Sequence, residues 1–407
     1  MEPIFLCPRW AMKHKLIITK DGDSIVSSVF EEKEMLQVNV FSLQEENSLG
    51  NIYVGKVKNI VANIAAAFVE YEKGKMCYLS LEEVRNPIFL NPKKNEKMVV
   101  GDEILVQIAK ADVKTKAPVA TTGLNFTGKY LVLTHGNNII GISGKIGDEE
   151  ERKRLKTLMD VYKHTEYGFI VRTNAAKAED SVLKEEAEAL ISLYGETLSY
   201  GTHKTPFSVV YRTLPGYLCD IRDSLSEAIT EIITDDRKLY EEIASYLGRY
   251  QKEDLEKLRF YEDNLLSLSK LYGIDVKLEN ALKKKVWLKS GGTIIIEPTE
   301  ALTVIDVNTG KAISGKRKVQ ETFFKLNLEA AEEIARQIRL RNLSGIIIVD
   351  FIDMEDKSAK EALMRSFEEQ LRKDPVKTVL VDMTALNLVE VTRKKVRKPL
   401  YEQIREE

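Results

Sequence analysis

Two stretches in the last third of this chain share one form, and together they constrain its fold more than any other feature. Leu302-Thr303-Val304-Ile305-Asp306 and Ile346-Ile347-Ile348-Val349-Asp350 are each an apolar run of strand length that ends in an aspartate. Between them, Glu321 to Leu340 carries Leu328, Ala331, Ile334, Ala335 and Ile338 at helical spacing, the mark of an amphipathic helix with one buried face. Strand, long helix and apolar strand predict a β-α-β unit, because parallel neighbours need a crossover of a dozen or more residues. If the two strands are adjacent, both aspartates lie at the carboxyl edge of the sheet, where open α/β sheets place their ligands.

Two carboxylates held together repel unless a cation neutralises them. A hard cation such as Mg²⁺ takes few carboxylates and keeps waters for a substrate phosphate. Asn308, two residues beyond Asp306, is placed to orient that carboxylate or a metal-bound water. The bland reading is that a strand-ending aspartate caps the next helix or forms a turn. Asp353 and Asp382 compete for the second position. The chain has four histidines, none close to these aspartates in sequence, so a Ser-His-Asp or Cys-His reading has no support. Basic residues gather in the same third: Lys283 to Lys285, Lys316 to Lys318, Arg336, Arg339, Arg341 and the run Arg393 to Lys398. A charge run is usually a solvated face, but several beside a carboxylate site suit an anionic polymer. The net charge of −2 requires such a binder to segregate its basic residues.

Elsewhere the pattern is strand-rich first and helical later. Lys15 to Thr19, Ser24 to Phe30 and Met35 to Val40 read as a hairpin-rich sheet, and residues 50–122 as short strands with Gly, Asn and Pro breaks, a small barrel. Tyr130 to Thr134 and Gly168 to Arg172 are further strands. Residues 178–194 and about 217–272 read as helical. A length of 407 residues predicts two to four domains. Three separated cysteines, Cys7, Cys77 and Cys219, supply no zinc or disulfide framework and fit a reducing compartment. No apolar run is long enough to span a membrane, and the first twelve residues lack a signal-peptide pattern. A cytoplasmic protein is expected.

The segments Glu300 to Gly310, Leu328 to Arg341 and Gly345 to Met354 closely resemble the ribonuclease E/G family. The resemblance runs through nearly the whole chain from about Lys13, and the compact length is like that of the family's short members. It implies a magnesium-dependent endoribonuclease that cuts single-stranded RNA, including ribosomal precursors and messages, to leave 5′-phosphate and 3′-hydroxyl ends. It implies that Asp306 and Asp350 hold one Mg²⁺, with Asn308 in support, and that Asp353 stands outside the pair. Through Gly50 to Lys56 and Ala66 to Glu70, residues 50–122 resemble an S1 domain, an OB-type barrel, with Phe68, Tyr78 and Lys116 as RNA contacts. Base stacking on aromatics is how such a surface grips single strands; the alternative for Phe68 is a place in the barrel core. Residues 123–216 resemble a sensor of the RNA 5′-monophosphate, with Gly128, Val132, Arg172 and Thr173 as its residues; the alternative for Arg172 is a structural ion pair. Gly144 stands where the family carries an arginine, which implies a weaker sensor. The resemblance further implies an α/β multidomain chain, with an RNase H-like scaffold in 1–49 and 217–280 and a DNase I-like catalytic domain in 281–400. The family's zinc-link motif is absent from the tail, 401–407, so zinc is not implied, and a homodimer or homotetramer stays open. Two competing functions are a non-catalytic RNA-binding protein and a magnesium enzyme acting on a small phosphorylated metabolite.

Overall fold

The computed structural model describes residues 13–44, 48–91, 97–110, 117–224, 228–310 and 319–404. Lys116, the run Lys316 to Lys318 and the first twelve residues lie outside them. The chain divides into two units, Met1–Glu45 with Ser226–Glu407, and Glu46–Leu225.

In the second unit, Ile52–Val61 pairs with Ala66–Glu72 on one side and with Glu103–Lys110 on the other. Lys75–Ser80 and Val119–Thr121 complete the circuit, so five strands close into a barrel and leave no open edge. Alternation fills it: Val57, Ala67, Val69, Cys77, Leu79, Ile104, Val106 and Ile108 point inward. A four-stranded sheet follows, in the order Ile140–Ile142, Tyr167–Val171, Leu131–His135, Asn125–Thr127. The helix Asp180–Thr202 packs Leu183, Ala187, Leu190 and Tyr194 into one core with Phe126, Leu131, Leu133 and Phe169.

Among the described residues the first unit holds two sheets. One runs Leu258–Phe260, Ile229–Thr234, His14–Asp21, Ser24–Glu31, Glu34–Ser42. Its first three strands are mutually parallel and its last two pair antiparallel. Here the sequence reading is corrected, because 217–272 is not one helical stretch. Ile229–Thr234 and Leu258–Phe260 interrupt it, and the former inserts its β-branched side chains beside the chain's first strand, where packing outweighs the helical surroundings. The charge-rich segment Lys252–Lys257 is a short helical turn in which Asp254 is buried and paired with Lys257.

The other sheet has six strands in the order Lys285–Trp287, Thr293–Pro298, Leu302–Asn308, Gly345–Asp350, Leu388–Arg393, Thr378–Met383. Leu302–Asn308 and Gly345–Asp350 are parallel, and the helix Val319–Leu340 provides the crossover; the remaining pairs are antiparallel. Val319–Leu340 and Lys357–Arg372 cover one face, and Ile294, Ile296, Ile305, Val307, Ile347 and Val349 meet Ala330, Ile334, Leu363 and Phe367 beneath them. The mixture of a barrel with α/β sheets is the architecture expected from the sequence.

Candidate active site

Alternation along Leu302–Asn308 decides where its polar residues go. Thr303, Ile305 and Val307 are buried, and Ile305 and Val307 join the core under the helices, so Val304, Asp306 and Asn308 project from the opposite face. Ile347 and Val349 fix Gly345–Asp350 the same way, and Asp350 emerges beside Asp306. The parallel register makes Asp306 and Asp350 direct partners. The Asn308 side chain donates to Asp306 Oδ2 at 2.6 Å. Burial, then the charges of Asp306 and Asp353, hold the Asp350 carboxyl above the usual carboxylate range. Neither aspartate of the pair has an ion-pair partner among the described residues.

This donor set fits a magnesium ion. Two adjacent carboxylates lack a counter-charge, and one is fixed by an amide. Among the described residues no group of three or more His, Cys, Asp or Glu side chains forms a cage, so the pair would leave most positions to water and phosphate, as Mg²⁺ prefers. Asp353, whose charge reaches Asp350, accepts from Asn387 at 3.1 Å, and Asn387 in turn accepts from Lys360 at 2.8 Å. Asp382 accepts the N–H of Met383 on the outermost strand. Two supports escaped the sequence reading. Asn327, fully buried in the crossover helix, donates to the Ile352 carbonyl and accepts the Ile352 N–H, which pins the loop leaving Asp350. Gly310 has φ +64°, and a Cβ there would collide with the Gly291 carbonyl, so only glycine lets the chain leave Asn308 past the Leu288–Gly292 turn. A polar residue inside an apolar helical stripe was the available signal for Asn327.

In the barrel, Phe68 and Tyr78 are direct cross-strand partners. Their flanking residues Ala67, Val69, Cys77 and Leu79 are buried in the core, so both rings stand on the outer surface, half-buried, 6.1 Å apart and at 79°. The barrel interior is therefore not their place.

Of the residues assigned to end sensing, Arg172 and Gly128 meet directly. Arg172 donates through Nη1 to the Gly128 carbonyl at 2.6 Å and through Nη2 to Asp223 Oδ1 at 2.8 Å. Arg222 binds both oxygens of the same carboxylate, at 2.9 and 3.1 Å. Desolvation works against the charge on Asp223, and the Arg222 and Arg172 guanidiniums outweigh it, leaving the carboxyl below its usual range. Thr173 Oγ1 shares a hydrogen bond with Ser143 Oγ at 3.0 Å. Val132 is half-buried in mid-strand, across from Ile170 and Thr127. Behind Gly128, the half-buried Glu186 carboxylate accepts the N–H groups of Lys129, Tyr130 and Leu131 at 2.7–2.8 Å. Burial pushes Glu186 upward against those three bonds. A Cβ on Gly128 would lie 2.6 Å from that carboxyl, which explains the glycine. Asp223 and Glu186 were not foreseen. Gly144 is exposed with open space around it.

The chain matches the model of the ribonuclease E/G family over residues 125–396 and that of the S1 RNA binding domain over residues 47–123. It is 34% identical over 376 residues to ribonuclease G of Haemophilus influenzae, covering 89% of this chain and 76% of that protein. Ribonuclease G of Escherichia coli K12 is 34% identical over 362 residues, 86% of this chain and 74% of that protein. Ribonuclease E of Nostoc sp. is 31% identical over 398 residues, 96% of this chain and 57% of that protein. Among the described residues no helix is long and apolar enough to cross a membrane.

Proposed function

Because this chain belongs to the ribonuclease E/G family, and is by that membership an endoribonuclease, we propose that it cuts single-stranded RNA by magnesium-assisted hydrolysis at Asp306 and Asp350. The observation that carries this reading is the register that sets Asp306 against Asp350 on the open sheet face, with Asn308 bonded to the first. Asp306 and Asp350 hold the metal, and Asn308 fixes the rotamer of Asp306. Mg²⁺ bound there supplies a water of lowered pKa and neutralises charge at the scissile phosphate. The products carry 5′-phosphate and 3′-hydroxyl ends. Phe68 and Tyr78, with Lys116 from outside the described residues, grip the strand by stacking and charge. Gly128, Val132, Arg172 and Thr173 receive a 5′-monophosphate, and Arg172 offers it a planar fork of donors.

The strand order of the five-stranded sheet, three parallel and two antiparallel, supports the RNase H-like scaffold, and the six-stranded sheet under two helices supports the DNase I-like catalytic domain. Processing of ribosomal precursors and decay of messages in the cytoplasm, by a homodimer or homotetramer, complete the reading. The test is incubation with a 5′-monophosphorylated, AU-rich single-stranded RNA in Mg²⁺ and in EDTA, with the product ends mapped. Internal cleavage that EDTA abolishes is expected. Binding without cleavage would favour a non-catalytic RNA-binding protein, and cleavage that survives EDTA would remove the metal from the mechanism.

A further inference from the structure

Lys285–Trp287 is the outer edge of the six-stranded sheet. Val286 packs against the core beneath the helices, so its neighbours Lys285 and Trp287 project from the opposite face. That is the face carrying Asp306, Asn308 and Asp350. Cross-strand partners share a face in an antiparallel pair, and the pairing continues across three strands. Trp287 stands across from Thr293, and Thr293 across from Asn308. One row over, Lys285 stands across from Ile295, and Ile295 across from Asp306. Two strand spacings, roughly 10 Å, separate the tryptophan from Asn308.

Trp287 is 67% exposed, although burying so large a ring is normally favourable. The Lys285 ammonium lies 4.3 Å from its centroid. Lys283 and Lys284 are paired with Glu279 and Glu297, whereas Lys285 is engaged with the ring and with no carboxylate among the described residues. We infer that Trp287 is a stacking platform for a base flanking the scissile phosphate of the bound RNA, with Lys285 supplying positive charge to the adjoining backbone. The inference rests on the endoribonuclease reading and adds to it a substrate contact on the catalytic sheet itself, separate from the barrel aromatics. Every base presents a π-face, so the contact grips the strand without strong sequence demands, and the nearby cation suits the strand's phosphates. A protein partner is the competing occupant, since Val304 and Ile346 are also exposed on this face. The tryptophan, however, shares its row with Asn308, and Lys285 and Asp306 share the next, whereas Val304 and Ile346 lie in other rows, which favours a polyanion reaching the carboxylate pair.

The chain has two tryptophans, so Trp10→Phe leaves Trp287 as the sole indole emitter. Titrating this variant, made inactive by Asp350→Asn, with a short single-stranded RNA should quench its emission. Trp287→Ala should weaken RNA binding about five-fold or more, the lower end of what one stacked base contributes, and raise KM in the active enzyme. Trp287→Phe should keep most of the affinity, and Lys285→Met should flatten the salt dependence by about one phosphate contact. Unquenched emission together with unchanged affinity in Trp287→Ala, in a protein whose wild type still cleaves RNA, overturns the platform. Unchanged affinity with a dimer that falls to monomer in Trp287→Ala gives the face to a second copy and overturns it equally. Wild-type protein that neither binds nor cleaves RNA removes the parent reading and the platform with it.

Discussion

The Asp306–Asp350 pair and the Arg172–Asp223 cluster are both charged sites built at strand ends, yet the folded chain leaves them in opposite states. The two aspartates face each other with one amide for company and no counter-charge among the described residues. Arg172 has its guanidinium spent on a carbonyl and on Asp223, which Arg222 also holds. An uncompensated pair gains from anything cationic that arrives. A compensated arginine must exchange one partner for another, so its apparent affinity for a phosphate is a difference between two similar interactions. On the proposed function, the first site would depend tightly on its ion and the second would discriminate only modestly between RNA ends.

The sharpest way to break this comparison is to remove one carboxylate. Asp306→Asn or Asp350→Asn should lower cleavage by more than about 100-fold, beyond the loss typical of residues that merely support metal ligands. The same change relieves repulsion, so the metal-free variant should melt no lower than wild type. Mg²⁺ should raise the melting temperature of wild type and not of the variant. Cleavage near the wild-type rate in both variants would take these aspartates out of the metal site. Asn308→Ala tests the support for the pair. It should cost about 10–100-fold in activity or metal affinity while RNA binding holds, and a silent substitution would show that Asp306 needs no orientation.

The barrel aromatics come next in size. Both rings lie outside the core, so Phe68→Ala and Tyr78→Ala should leave folding intact. Each should weaken RNA binding by about 1–3 kcal/mol. Full affinity in the folded double variant would assign the gripping surface elsewhere.

The parts of the molecule that were legible in the sequence are those in which neighbours along the chain carry the signal. The two apolar runs ending in Asp306 and Asp350 and the helical stripe of Glu321 to Leu340 are local patterns, and they led to the β-α-β unit in which the strands do lie parallel and adjacent. Ile229–Thr234 was hidden because its pairing partner, His14–Asp21, lies at the other end of the sequence. The same holds for the carboxylates around Arg172 and Gly128. Arg172 meets a carboxylate 51 residues away, and Lys129 one that is 57 away, and no spacing rule reaches that far. Trp287 was passed over because a tryptophan in a short apolar run reads as core until the sheet pairing shows which face it takes.

The smallest expected effect concerns that hidden carboxylate. Arg172→Ala should erase most of the preference for 5′-monophosphorylated RNA over RNA with a 5′-hydroxyl, and spare cleavage of the hydroxyl-ended strand. Asp223→Asn separates two roles that the structure leaves side by side. If Asp223 only braces Arg172, its loss frees the guanidinium to wander and the preference falls. If it competes with the phosphate, its loss removes the competitor while Arg172 keeps the Gly128 carbonyl as an anchor, and the preference rises. The pair is partly exposed, and such pairs are worth up to about 1 kcal/mol, so the rise should be about two- to five-fold in kcat/KM on monophosphorylated RNA. The second outcome is the expected one, because Arg222 holds the same carboxylate on its own and Arg172 keeps its bond to the Gly128 carbonyl without Asp223. The measurement is kcat/KM on both RNA ends for wild type, Arg172→Ala and Asp223→Asn. A preference lowered by both variants would make Asp223 a brace. Equal rates on both ends in wild type would take Arg172 out of end recognition altogether and leave its bonds to Gly128 and Asp223 as structural ones.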